Sequence, residues 1–235
     1  MKRVAFVTYH KAPNLTADDA LALAPLKQFG VAAIPTIWDD PRVNWKTFDA
    51  VIMRSCWDYH RKTHGFRRWI DYLEELKIAV WNPIEILRWN MNKTYLRELA
   101  AKGVAIPPTV WIEAGSSADL RALLSANGFE QAVIKPTISA TAYQTCRTSI
   151  ATAHHDQSHL DMILRASGAM VQQFVDEVTS NGEWSLLFFG GKYSHAVLKR
   201  PRDGDFRVQA DFGGTSHRLE PSPALIKQAE AIERL

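Results

Sequence analysis

The first 90 residues alternate short apolar runs with segments of helical spacing, and this alternation restricts the fold more than any other feature of the sequence. Residues 4–8, 31–38 and 50–54 are apolar runs of strand length, whereas residues 18–29 and 65–76 have the periodicity of helices. A repeated strand, helix, strand order predicts a parallel sheet covered on both faces. Ligands of such sheets bind beyond the carboxyl ends of the strands.

The second half of the sequence has a different pattern. Strand-length runs recur at residues 109–112, 132–136 and 170–175, and helical spacing occurs at residues 84–102, 117–125 and 157–166. Residues 182–189 and 192–199 flank Gly190-Gly191, which is a two-residue hairpin signal. We therefore predict α+β structure with antiparallel strands in this half.

The change of pattern near Asn90 predicts two domains. The first is a parallel-sheet α/β domain at residues 1–90, and the second is an α+β domain at residues 91–235. The second domain is divided further into two subdomains, residues 91–169 and residues 170–235.

Composition excludes several classes of protein. With 46% hydrophobic and 23% charged residues, the chain is not disordered or collagen-like. No apolar stretch of about 18 residues or signal-peptide pattern is present, and the cysteines, Cys56 and Cys146, are few and far apart. We expect a cytoplasmic protein that does not enter a membrane.

A net charge of +3 allows a phosphate-bearing partner but does not predict nucleic-acid binding. The basic residues 61–68 suit one side of an amphipathic helix.

Two pairs of reactive side chains are better explained as structural. His155 and His159 are four residues apart, which suits one helix face, but no third metal ligand accompanies them. Cys56 lies near His60, yet nothing in the sequence orients the pair, and a buried thiol is the commoner outcome. We predict neither a metal site nor a cysteine nucleophile from these residues.

Five short motifs follow one another along the second half. They are Lys93, Lys135 after an apolar strand, residues 171–175, Gly182-Glu183, and Lys199 at the end of the hairpin. Taken alone, Lys135 is better explained as a surface lysine than as a phosphate ligand. The order and spacing of all five, however, resemble the ATP-grasp superfamily, in particular its glutathione synthetase and ribosomal-protein glutamate-ligase type. The α/β domain at the front matches the domain that usually precedes this fold.

The resemblance implies a nucleotide held between the two subdomains. Lys93 and Lys135 are then expected at the phosphates of ATP, and Lys199 at its β- and γ-phosphates, where cations offset the charge of the phosphoryl group in transfer. The resemblance also implies a hinge strand that consists of Gln172, Gln173, Phe174 and Val175. Backbone groups of the hinge would form hydrogen bonds with the adenine edge, and its apolar atoms would cover the adenine face. Glu183 would accept hydrogen bonds from the ribose hydroxyls, with Asp176 and Glu177 as alternatives.

The resemblance also places substrate contacts near the end of the chain. Arg207 would clamp a substrate carboxylate or an acyl phosphate, and together with Lys199 it is the expected catalytic residue. Gly213 and Gly214 would allow an anion to approach the backbone closely. An exposed arginine beside a glycine-rich surface turn explains these residues equally well. Residues 138–148 occupy the position of the loop that covers the phosphates, although this segment has no glycine.

Residues 54–60 and the neighbouring 82–83 and 88–90 resemble one branch of the superfamily, which includes the cycloserine-forming cyclo-ligase. That enzyme closes O-ureido-serine onto itself by activating a carboxylate with ATP. The resemblance implies that Arg54, Asp58 and Tyr59 contact an amino-acid-like substrate. An aromatic plug in which Trp57, Tyr59 and Trp89 only pack against other residues is the alternative.

The sequence therefore predicts an ATP-dependent carboxylate–amine ligase that uses Mg²⁺. Ring closure within one substrate and a catalytically silent nucleotide-binding module are the alternatives. ATP-grasp ligases place their magnesium carboxylates on strands beyond the point where this sequence stops, so we expect no metal ligand within these 235 residues. The sequence is on this basis expected to be a fragment, or else a nucleotide binder without turnover. The expected partners are ATP and a small amino-acid-like substrate; the oligomeric state, including a homodimer, is left open.

Overall fold

A computed structural model describes all 235 residues and divides into two compact units. The first unit consists of Met1–Lys93 together with Ile138–Ala140, and the second of Thr94–Thr137 and Thr141–Leu235.

The first unit is built on a parallel sheet. Its elements are β1 (Lys2–Thr8), α1 (Ala17–Ala20), α2 (Leu23–Gln28), β2 (Val31–Ile37), β3 (Ala50–Met53), α3 (Thr63–Glu75), β4 (Ala79–Trp81) and α4 (Ile84–Asn90). The strand order is β2-β1-β3-β4, and every neighbouring pair is parallel. The predicted parallel sheet is confirmed. Its main core joins one face of the sheet to α3 and α4, and Ala5, Val51 and Ile70 are fully buried there.

Two predicted helices of this region are each interrupted. The helix expected over residues 18–29 is split into α1 and α2, because Pro25 has no backbone N–H and its ring would clash with the carbonyl of Leu21 in a continuous helix. The helix expected over residues 84–102 stops at Asn90 and resumes as α5 (Tyr95–Ala101). Lys93 therefore lies in the turn between two helices and not inside one.

The second unit contains two antiparallel sheets. Its further elements are β5 (Thr109–Ile112), α6 (Leu120–Ala126), β6 (Gln131–Pro136), β7 (Cys146–Ser149), α7 (Ala153–Ala166), β8 (Ala169–Gln173), α8 (Glu177–Ser180), β9 (Glu183–Phe189), β10 (Lys192–Arg200), β11 (Thr215–Arg218) and α9 (Pro223–Glu233). One sheet has the order β5-β8-β6-β7 and the other β11-β10-β9. The predicted antiparallel α+β structure is confirmed, and the hairpin turns at Gly190 and Gly191, which have φ of 56° and 73°.

The sheet of β5 to β8 carries its own core. α6 and α7 cover one face, where Ile134, Leu160 and Val171 are fully buried. The edge strand β7 is absent from the sequence prediction, and β8 ends at Gln173, two residues before the predicted end. No group of three or more histidine, cysteine, aspartate or glutamate side chains could hold a metal ion. Every helix is too short or too polar to cross a lipid bilayer.

Candidate active site

Lys135 lies on the face of its sheet that α6 and α7 leave uncovered. Side chains alternate along β6, so that Ala132 and Ile134 enter the core and Lys135 points to the opposite face. The Lys135 ammonium donates a hydrogen bond to Gln172 Oε1 at 2.8 Å. Burial lowers the pKa of Lys135, and the Glu183 carboxylate nearby offsets part of this shift. A strand of one sheet and a strand of the other thus contribute opposite charges to one place.

Glu183 and Lys199 extend this charged group. They lie directly opposite each other in the β9–β10 ladder, and Lys199 Nζ is 3.9 Å from Glu183 Oε1. The side chain of Lys199 is 36% exposed and that of Glu183 is 48% exposed. Because the ion pair is long and exposed, an incoming anion can replace Glu183 as the partner of Lys199. Gly182 supports the arrangement, because a Cβ at this residue would lie 2.6 Å from the Lys199 carbonyl oxygen. Two lysines and one glutamate of the predicted site are therefore brought together.

The predicted hinge has few free backbone groups. The Gln173 N–H donates to the Pro108 carbonyl at 2.9 Å, and the Phe174 N–H donates to the Gln131 carbonyl at 3.0 Å. The Val175 N–H makes no hydrogen bond to a backbone carbonyl, which leaves it as a candidate donor of the predicted hinge.

The side chain of Phe174 is packed within the second unit. It is buried, and the Arg147 guanidinium stacks 3.8 Å from its ring centroid. The Phe206 ring lies edge-on at 5.8 Å. Arg147 and Phe206 are thus neighbours of the predicted hinge that the sequence did not indicate, since nothing in a single sequence links them to residue 174.

Arg207 is held in a fixed orientation by Asp205. Its Nη2 lies 2.7 Å from Asp205 Oδ2, and the guanidinium stacks 3.7 Å from the centroid of the Phe212 ring. Hydrogen bonds from the Arg207 side chain hold the pKa of Asp205 well below its usual range. Gly213 adopts φ of +83°, and a Cβ on Gly214 would lie 2.1 Å from the Val208 carbonyl oxygen. The chain therefore requires glycine at both positions, whether or not an anion binds there.

Arg54 is anchored by the carboxylate of Asp19, which is not among the predicted site residues. Arg54 Nε and Nη2 donate to Asp19 Oδ1 at 2.8 and 2.5 Å, and Ser55 Oγ donates to Asp19 Oδ2. Burial alone would raise the pKa of Asp19, but the hydrogen bonds from Ser55 and Arg54 outweigh it and lower the pKa. Asp19 thus acts as a buried support for Arg54 at the carboxyl ends of the parallel strands.

Asp58 and Tyr59 follow the same strand end. Asp58 accepts a hydrogen bond from Trp38 Nε1 at 2.8 Å and pairs with Lys62 at 2.9 Å, so both of its carboxylate oxygens are engaged. The Tyr59 ring packs 5.4 Å from that of Phe66.

A cavity of about 250 Å³ lies in the first unit beside these residues, and Arg54, Trp57, Tyr59, Asn82 and Asn90 contribute to its lining. Burial holds the pKa of Cys56, which also lines the cavity, well above its usual range. This thiol is therefore no nucleophile at neutral pH.

Lys93 belongs to the first unit, whereas Lys135 and Lys199 belong to the second. Its ammonium donates a hydrogen bond to the backbone carbonyl of Ser139, which is also part of the first unit. The predicted phosphate loop bends without glycine, because Thr141, Ala142 and Gln144 adopt φ between 51° and 53°.

A parallel-sheet unit followed along the chain by two antiparallel sheets, whose strands bring Lys135 and Lys199 to Glu183, is the architecture of ATP-grasp proteins. D-alanine–D-alanine ligase from Bacillus anthracis, in a structure complexed with ATP, shares this fold with a TM-score of 0.64 at 13% identity, covering 99% of this chain and 75% of the ligase.

More specific similarities exist. Residues 4–82 match the family model of the N-terminal domain of D-cycloserine synthetase DcsG. The cycloserine biosynthesis protein DcsG of Streptomyces lavendulae is 31% identical over 200 residues, which are 83% of this chain and 67% of that protein. The crystal structure of D-cycloserine synthetase DcsG superposes with a TM-score of 0.87 at 28% identity, covering 98% of this chain and 78% of DcsG. The chain therefore belongs to the DcsG family of ATP-grasp ligases.

Proposed function

We propose that this protein is an ATP-dependent ligase that joins a carboxylate and an amine of a small amino-acid-like substrate. ATP supplies a phosphoryl group to the carboxylate, with loss of ADP. The amine nitrogen then attacks the acyl carbon of the resulting acyl phosphate, inorganic phosphate leaves, and the nitrogen loses a proton. The grouping of Lys135, Glu183 and Lys199 carries this proposal, because it joins two cations and a carboxylate from both sheets of one unit.

The residue types suit the parts of the nucleotide. Lys135 and Lys199 offset the negative charge of the phosphates, since charge-assisted hydrogen bonds to phosphate oxygens are strong. Glu183 accepts hydrogen bonds from the ribose hydroxyls, and the Val175 N–H donates to the adenine edge. The buried Lys135 gains most from a phosphate, because an anion compensates the desolvation of its ammonium.

The ATP-grasp ligase PsnB has been crystallised with Mg and ADP, and it shares the fold of this chain with a TM-score of 0.61 at 14% identity. In this chain no group of three histidine, cysteine, aspartate or glutamate side chains could hold a metal ion. The chain therefore offers no metal cage made of its own side chains, and we assign no step of the reaction to a metal bound by them.

Each unit has candidate substrate contacts of its own. Arg207, oriented by Asp205, suits a carboxylate or an acyl phosphate, because a guanidinium binds either one through two parallel hydrogen bonds. Gly213 and Gly214 let the backbone approach closely beside it. In the first unit, Arg54 lines the cavity and uses two nitrogens on Asp19, which leaves Nη1 for a substrate. Asp58 and Tyr59 complete the proposed contacts, and Lys93 is proposed as a further phosphate ligand.

Ring closure within one molecule is the second candidate function. The similarity to DcsG over 83% of this chain favours it. The two reactions differ in the mass of their product. Ring closure gives a product lighter than its single substrate, because one water is lost and, where the carbamoyl group on the ring nitrogen is hydrolysed, CO2 and NH3 leave as well. Ligation instead adds the mass of a second substrate less one water. Mass spectrometry of reactions with O-ureido-serine alone, and with pairs of amino acids, separates them.

The proposal is tested by ATP binding and by ADP release. Lys135→Ala is expected to weaken ATP binding by about 10- to 100-fold, which is the value of a hydrogen bond to a charged group. Lys192→Ala is the matched control, because Lys192 is an exposed lysine of the same hairpin as Lys199. Equal ATP affinity in both variants would contradict the assigned site. ATP binding without ADP release in the presence of any candidate substrate would identify a silent nucleotide-binding module instead.

A further inference from the structure

A chain of three hydrogen bonds leads from Lys135 to the backbone of the loop before β5. Lys135 Nζ donates to Gln172 Oε1 at 2.8 Å, and Gln172 Nε2 donates to Thr109 Oγ1 at 2.8 Å. Thr109 Oγ1 in turn donates to the Pro107 carbonyl at 2.7 Å. Thr109 and Gln172 lie directly opposite each other in the β5–β8 ladder, so the backbone register sets their separation.

Only one assignment of donors and acceptors is consistent with all three hydrogen bonds. The Thr109 hydroxyl has a single proton, which the Pro107 carbonyl takes, so Thr109 Oγ1 can only accept from Gln172. The Gln172 amide must then turn its NH₂ group toward Thr109 and its oxygen toward Lys135. In the flipped amide, two donors would face each other, because a lysine ammonium has no acceptor.

Lys135 has a second neighbour, Glu183, whose carboxylate attracts the Lys135 ammonium away from Gln172. The Glu183 carboxylate acts on Lys135 electrostatically and also pairs with Lys199. If Gln172 no longer presents its oxygen, the Lys135 ammonium is free to turn toward Glu183. Phosphate binding would then require this contact to be broken first, and the ordering of a flexible side chain would oppose binding.

We propose that Thr109 is a positioning residue, which acts through the Gln172 amide to hold the Lys135 ammonium ready for a nucleotide phosphate. The inference rests on the proposed function, in that Lys135 must contact ATP. It goes beyond that function by assigning a role to a threonine outside the predicted binding residues. The Thr109 hydroxyl touches no phosphate; its effect reaches the nucleotide only through Gln172 and Lys135.

The test compares ATP with adenosine, which lacks phosphates. Thr109→Val removes the hydroxyl with little change of shape and is expected to weaken ATP binding about three- to tenfold, the range of one hydrogen bond. Adenosine binding is expected to stay unchanged, and Thr109→Ser, which restores the hydroxyl, should bind ATP within about twofold of the wild type. Thr148→Val is the matched control, because its hydroxyl lies in the same sheet but donates to Asp156.

Gln172→Met provides an independent route if Thr109→Val does not fold. It removes the acceptor itself, so it should weaken ATP binding at least as much as Thr109→Val, and the double variant should add nothing further. Additive losses, equal losses for ATP and adenosine, or wild-type ATP affinity in Thr109→Val would each overturn the positioning role. Failure of the wild-type protein to bind ATP would instead overturn the proposed function, and the positioning role with it.

Discussion

Asp19 offers a sharp test of how the first unit is held together. Its side chain is only 8% exposed, and its carboxylate accepts hydrogen bonds from Arg54 and from the fully buried Ser55. In Asp19→Ala the Ser55 hydroxyl loses its acceptor, at a cost of about 1–3 kcal/mol. The Arg54 side chain is 45% exposed, so water replaces part of its lost partner and about 1 kcal/mol remains. We expect a loss of about 3 kcal/mol in the free energy of unfolding.

The measurement is urea denaturation followed by tryptophan fluorescence. Of the eight tryptophans, all but Trp111 and Trp184 belong to the first unit, so fluorescence reports mainly on its unfolding. Asp18→Ala is the matched control, because Asp18 is the neighbouring acidic residue of the same helix turn and is exposed. The reasoning is refuted if Asp19→Ala and Asp18→Ala unfold within about 0.5 kcal/mol of each other, the usual range for surface substitutions.

The same pair of proteins gives the pH dependence. The pKa of Asp19 in the folded protein lies below its ordinary value of 3.8. The contribution of the ionised carboxylate to stability is therefore fully present above that value and is lost as the pH falls through the lower, folded-state pKa. The stability difference between wild type and Asp19→Ala should be constant from about pH 7 to pH 5 and shrink below pH 4. A difference that stays constant down to pH 2 would contradict the role of the charge.

Two further predictions concern other parts of the chain. In the native protein, alkylation should modify the partly exposed Cys146 well before Cys56, because burial raises the pKa of Cys56 strongly. Peptide mass spectrometry measures the two alkylation rates, and equal rates would contradict the prediction. Gly214→Ala should destabilise the second unit by about 1–3 kcal/mol, because its Cβ would meet the Val208 carbonyl oxygen, whereas Gly65→Ala in α3 should be neutral or stabilising. Thermal denaturation distinguishes the two glycine variants, and similar melting temperatures would count against the close approach.

Strands were predictable wherever hydrophobic spacing and turn chemistry agreed. β5 was predicted with its exact bounds, and the hairpin of β9 and β10 was located by its two glycines within one residue at each end. β7 was missed because it is a polar strand at the edge of its sheet. Of its side chains only Thr148 is buried, so its sequence carries almost no alternation. β7 is a strand because it pairs with β6, and no local sequence pattern indicates this pairing.

The helix errors show how single residues override periodicity. Apolar spacing continued through residues 18–29, yet Pro25 is tolerated only in the first turn of α2, where no N–H is needed. Asn90 and Asn92 flank the break before Lys93, and asparagine side chains compete for backbone hydrogen bonds. Sequence order predicted Lys135, Glu183 and Lys199 as members of one site, and the fold brings the three side chains together. Thr109, which contacts Gln172, and Asp205, which orients Arg207, were found only from contacts that the fold creates.

The separate core of the first unit has a consequence for synthesis. The buried residues of that core all fall between Val4 and Met91, so its packing can be completed before the second unit is translated. The 142 residues after Lys93 (235 minus 93) take about 7–28 s at about 5–20 residues per second. The parallel sheet can therefore fold on the ribosome while Lys135 and Lys199, two of the proposed nucleotide ligands, are still to be added. Ile138–Ala140 reach the first unit last, and with them the carbonyl that Lys93 binds.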